Sequence, residues 1–236
     1  MSGQGRSRTD REGDTMFTQI YLIRNAETDA NVRDIFQGAG TDTDLSEKGN
    51  AQLDCLAERF REIPLDAVFY SPCIRGEKTA QAVNRYHNAP MRAEPELHEF
   101  NGGILEGKSW AYFQQNFPTY LTWRDAMQDF SVTLGEDMKE VYARMKNIIG
   151  YIEYAGRGGT VAVVSHSCAL RNLLCALFYS DIRYLRYITW ADCTAVSLVW
   201  YDPDRKVWRV RFRNDDSHLP EALKSMTNER WNRFDL

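Results

Sequence analysis

The chain has no C-x-x-C pair, no apolar run long enough to cross a bilayer, no internal repeat and no excess of one charge. Each absence closes off a class. The five cysteines, Cys55, Cys73, Cys168, Cys175 and Cys193, are scattered and odd in number, which reads as reduced thiols and not as a disulfide framework. The N-terminus lacks the apolar core of a secretory signal, so the expected location is cytoplasmic and no membrane partner is expected. A net charge of −4 argues against a general nucleic-acid binder, though it leaves room for a local basic pocket. His87 and His98 lack metal-ligand spacing, and no metal site is expected.

What is there is an ordinary globular composition, 43% apolar and 26% charged over 236 residues, enough for one domain with a full core. Residues 1–15 carry no aliphatic or aromatic side chain beyond Met1 and read as a disordered tail, with Met16 a possible alternative start. Residues 16–219 read as the domain, and residues 220–236 as a C-terminal surface helix or tail with no assigned role.

Three short apolar runs each end in polar residues. Ile20–Ile23 runs into Arg24-Asn25-Ala26-Glu27-Thr28, Ala67–Tyr70 into Ser71-Pro72, and Val161–Val164 into Ser165-His166. Runs of four suit parallel strands covered on both faces, and polar groups at their carboxyl ends lie where open α/β sheets bind ligands. Between them, Ser46 is placed to cap a helix with Leu53, Leu56 and Phe60 on one face, and Val141, Met145 and Ile148 mark another. Residues 104–135 are rich in aromatic side chains and read as short inserted helices.

Taken together, these motifs resemble the histidine phosphatase superfamily, the phosphoglycerate-mutase-like fold. Arg24-Asn25-Ala26-Glu27-Thr28 with Asn31 is similar to its Arg-His-Gly-Glu-Thr-x-x-Asn. Ser71-Pro72 with Arg75, Thr79 and Ala80 is similar to its second motif, and Leu97-x-Glu99 leading to Glu106-Gly107 to its third. Ser165-His166-Ser167-Cys168 resembles its Ser-His-Gly-Gly, and Asn214-Asp215 with His218-Leu219 its terminal motif. The resemblance spans residues 17–219 and implies a three-layer α/β fold. A mostly parallel central sheet would be flanked by helices, with a helical cap insertion over about residues 104–135.

The resemblance also implies roles. Arg24, Asn31, Arg75, His166 and Ser167 would bind the phosphoryl group of a small phosphorylated metabolite. Glu99 would be the general acid/base, with Glu106 a rival, and no cofactor would be needed. The family's nucleophile, a histidine that becomes phosphohistidine, falls at Asn25. An amide nitrogen has its lone pair in resonance with the carbonyl, so this chain is expected to be inactive or severely impaired. The side chain can still imitate the hydrogen bond of the near ring nitrogen. Arg24, Glu99 and His166 are all retained, which favours a phosphatase with a deliberately or recently substituted nucleophile over a long-inactive lineage. Two alternatives stand beside it: a phosphoglycerate mutase, and a non-catalytic phospholigand-binding pseudoenzyme. Glu99 and His166 lie only 67 positions apart, which favours the phosphatase over the mutase. Substrate and oligomeric state stay open.

Overall fold

A computed structural model describes residues 17–225. The expectations for residues 1–16 and 226–236 lie outside the described residues. Six strands form one sheet: β1 (Thr18–Arg24), β2 (Ala67–Tyr70), β3 (Met91–Ala93), β4 (Thr160–Ser165), β5 (Val196–Asp202) and β6 (Val207–Asp215). Their order is β3-β2-β4-β1-β5-β6; the first four are mutually parallel, while β5 and β6 run antiparallel at the other edge. The mostly parallel sheet is therefore the one the apolar runs implied.

Side-chain alternation along the strands sorts the core into two layers. Ile20, Leu22, Val161 and Val163 face α6 (Met138–Ala155) and α7 (Ser167–Phe178). Ile23, Val68, Ala162 and Val164 face α2 (Glu47–Phe60) and α3 (Ile74–Val83). Because both faces are covered, the strands are apolar on both sides. Burying each such side chain contributes on the order of 2 kcal/mol, so register is strongly specified.

Local signals place the helices. Ser46 Oγ accepts from Gly49 N and starts α2, as its position before the apolar stripe implied. Asp137 and Glu140 form a reciprocal capping box at the start of α6, whose buried face is Val141, Met145, Ile148, Ile149 and Ile152. A four-residue helix, α1 (Asp29–Val32), follows β1. Residues 110–125 form two seven-residue helices, α4 (Trp110–Asn116) and α5 (Thr119–Asp125).

The segment before residue 226 is tied down. Gln52 Nε2 donates to the Leu223 carbonyl, and Ser225 Oγ donates to Glu27 at 2.7 Å. Residues 221–223 make one 3₁₀ turn that follows Pro220.

Candidate active site

The register of β1 against β4 sets Arg24 beside Ser165, so the next residues on each strand, Asn25 and His166, meet. Asn25 N donates to the Ser165 carbonyl at 2.9 Å. Asn25 is buried; its Nδ2 donates to its neighbour's carbonyl, Ala26 O, at 2.8 Å, and its Oδ1 lies 3.0 Å from His166 Nδ1. Ser71 Oγ, at the end of β2, sits 2.8 Å from His166 Nε2. Burial, reinforced by the positive charges of Arg75 and Arg144, holds the His166 imidazole well below its ordinary range, so it is neutral at pH 7. Arg75 Nε lies 3.2 Å from the same Nδ1 that faces Asn25. A ring nitrogen either donates or accepts, so Nδ1 serves Asn25 or Arg75, but not both at once.

Arg75 is buried at the start of α3 and is heavily engaged. Its Nη1 donates to Thr41 O and to Asp42 Oδ1, and its Nη2 donates to Gly38 O at 2.9 Å. Asp42 Oδ2 accepts from Ile74 N at 2.7 Å, which caps α3 in place of Cys73, whose side chain does not. The loop carrying these carbonyls is pinned by Glu106, which accepts from Gly38 N and Gly102 N. A Cβ on Gly38 would come within 2.2 Å of Glu106 Oε1 and the Phe100 carbonyl, so the contact needs glycine there. Glu106 thus stitches two loops and is not among the described residues lining the pocket.

Glu99 does line the pocket. Its carboxylate sits at the N-terminus of α7, accepting from Cys168 N and Ala169 N at 3.0 Å each, and from Phe100 N at 2.8 Å. The loop bearing it is held from below. Ser165 Oγ donates to Leu97 O, while buried Arg144 donates to Glu96 O and His98 O and pairs with Glu136 at 2.7 Å. Asn31 Oδ1 is used in the α1 cap by Thr28 N and Oγ1, which leaves its Nδ2 as the donor for the pocket it lines. Ser167 Oγ is buried without a hydrogen-bond partner among the described residues and also lines the cleft.

Arg24, Asn25, Asn31, Arg75, Glu99, His166 and Ser167 therefore all reach one cleft at the carboxyl end of the parallel strands. Its outer part is walled by Phe36, Trp110, Trp123 and Trp190. Several contributors had no signal in the sequence: Asp42, Arg144 and Trp190 act through contacts many positions away. Arg24 is one example of this long reach, since its Nη1 donates to Ala191 O at 2.5 Å. The 190–194 loop behind that carbonyl is held by Asn214, which donates to Thr189 and Trp190, and by His218, which meets Thr194 Oγ1 at 3.2 Å. Thr194 sits at φ +59°, rare for a β-branched residue, and its N–H reaches Arg24 O.

The comparisons with known proteins agree on one family. The histidine phosphatase superfamily (branch 1) matches residues 20–216. Phosphoserine phosphatase 1 of Hydrogenobacter thermophilus is 28% identical over 165 residues, covering 70% of this chain and 78% of that protein. The probable phosphoglycerate mutase GpmB of Escherichia fergusonii is 27% identical over 207 residues, 85% of this chain and 94% of the relative. Among solved structures, Bacillus stearothermophilus YhfR superposes with a TM-score of 0.80 at 27% identity, covering 85% of this chain and 98% of that one.

Proposed function

The chain belongs to the histidine phosphatase superfamily, branch 1, and we propose that its cleft is the site of a phosphomonoester hydrolase whose nucleophile position is taken by Asn25. The observation that supports this most is the convergence of Arg24, Arg75, His166 and Ser167 on the cleft that Glu99 also lines. A phosphomonoester is dianionic, and moving its phosphoryl group requires positioning and neutralisation of its oxygens more than covalent help. Two guanidinium forks and one hydroxyl are suited to that work.

With histidine at position 25, a ring nitrogen attacks phosphorus, the P–O bond to the leaving group breaks, and Glu99 passes a proton to the departing oxygen. Water then attacks the phosphohistidine while Glu99 takes a proton from it, which restores both groups. Asn25 cannot make the first bond. Its Nδ2 instead repeats the ring's anchoring hydrogen bond, here to Ala26 O, so the pocket stays formed.

The test is hydrolysis of p-nitrophenyl phosphate by this chain and by Asn25→His, with acid-labile phosphoprotein followed in parallel. The expected outcome is turnover in Asn25→His at least ~10³-fold above the unchanged chain, the scale of loss when a covalent nucleophile is removed. If both proteins are inert yet bind inorganic phosphate, the binding-protein reading replaces this one. Isomerisation of a phosphoglycerate by Asn25→His would make the protein a mutase.

A further inference from the structure

Four aromatic rings from separate parts of the chain meet at the mouth of the cleft. Phe36 follows α1, Trp110 begins α4, Trp123 lies in α5, and Trp190 precedes β5. Trp123 is the hub, with ring centroids 5.7 Å from Phe36, 5.6 Å from Trp110 and 6.2 Å from Trp190, the last at a 30° tilt. Trp123 itself packs on buried rings, 5.0 Å from Phe130, 5.8 Å from Phe100 and 6.5 Å from Phe113. The inserted helices already have a fully buried aromatic core in Phe100, Phe113 and Phe130, while the tryptophans stay half-buried and line open space.

Charge and polarity narrow the ligand further. Among the described residues lining the cleft only Arg24 and Arg75 are cationic, and both are claimed by a bound phosphoryl group. A carboxylate on the leaving group would find no third cation and would share the cleft with Glu99. A sugar would need partners for its hydroxyls, and beyond the residues already assigned to phosphoryl transfer the described lining offers it Gln37, whose Nε2 already gives one N–H to Thr43 Oγ1.

Resting on the phosphatase reading above, we propose that the leaving group is an uncharged planar aromatic alcohol, stacked among Trp110, Trp123 and Trp190, and that this protein discriminates against phosphorylated sugars and carboxylates. Offset and edge-to-face aromatic contacts favour a flat ring over an aliphatic chain of the same size.

Calorimetric titration of the unchanged chain tests this without turnover, using 1-naphthyl phosphate, glucose 6-phosphate, 3-phosphoglycerate and inorganic phosphate. Naphthyl phosphate is expected to bind about tenfold or more tightly than inorganic phosphate, the scale of one or two aromatic contacts. The sugar phosphate and phosphoglycerate should stay close to inorganic phosphate. Trp123→Leu and Trp110→Leu should each lose most of the naphthyl preference while binding of inorganic phosphate holds, and the ligand series decides the question even if one variant fails to fold. The inference is overturned if naphthyl phosphate has no advantage, or if phosphoglycerate or glucose 6-phosphate binds best; inorganic phosphate would still bind and the phosphatase reading would stand. If nothing binds, inorganic phosphate included, both fall together.

Discussion

At the scale of single residues, the site is a set of groups already spoken for. Arg75 spends its fork on Gly38 O, Thr41 O and Asp42, so an incoming oxyanion competes with the Asp42 carboxylate for it. Asp42→Asn keeps an acceptor for Ile74 N but removes the competing charge. It should tighten inorganic phosphate binding roughly two- to fivefold, the worth of a partly exposed ion pair, as read by calorimetry. Looser binding would show that Asp42 holds Arg75 in its productive place. Arg24, Asn25, Glu99 and His166 were legible in the chain because each follows an apolar strand or sits in a recognisable motif. Asp42 was not singled out, because its importance lies in contacts with α3, to which no local pattern points.

At the scale of elements, the decisive parts are those that hold loops still. The loop bearing Glu99 has no regular structure beyond one 3₁₀ turn, Pro95–Leu97, and is fixed by Arg144 reaching out of α6. Arg144→Met would strand the Glu136 carboxylate and release two carbonyls, at a cost on the order of 3 kcal/mol. Urea unfolding should show a lower midpoint at unchanged slope. The heptad-like face of α6 and the Ser46 cap of α2 could be read from spacing alone. That Arg144 lies on the buried side could not, since the pattern describes which face is apolar and not what a charged residue on it will meet. Helices α4 and α5 are seven residues each, too short to persist alone, and depend on the ring cluster around Phe113.

At the scale of the whole molecule, a buried imidazole, His166, and a half-buried one, His218, couple folding to pH. Burial pushes His218 down to about 4, with the Arg59 charge adding to it, and holds His166 well below its ordinary range. The unfolded chain binds protons on these rings near pH 6.5 while the folded one does not, so stability is complete above that pH and is lost as pH falls toward 4. The melting temperature should therefore drop between pH 6.5 and 4, and less steeply in His218→Gln; identical slopes would remove His218 from the account.

The two-sided burial of the central strands, the start of α2 at Ser46 and the apolar face of α6 follow from the chain itself. Each depends on periodicity or on a motif contained in a few neighbouring residues. The tertiary structure alone decided that Glu106 is a loop stitch, that residues 220–225 fold back onto Glu27, and that Trp190 shares one cleft with Trp110 and Trp123. Those are long-range contacts, chosen by the packing of the whole chain, and no local run of residues encodes them.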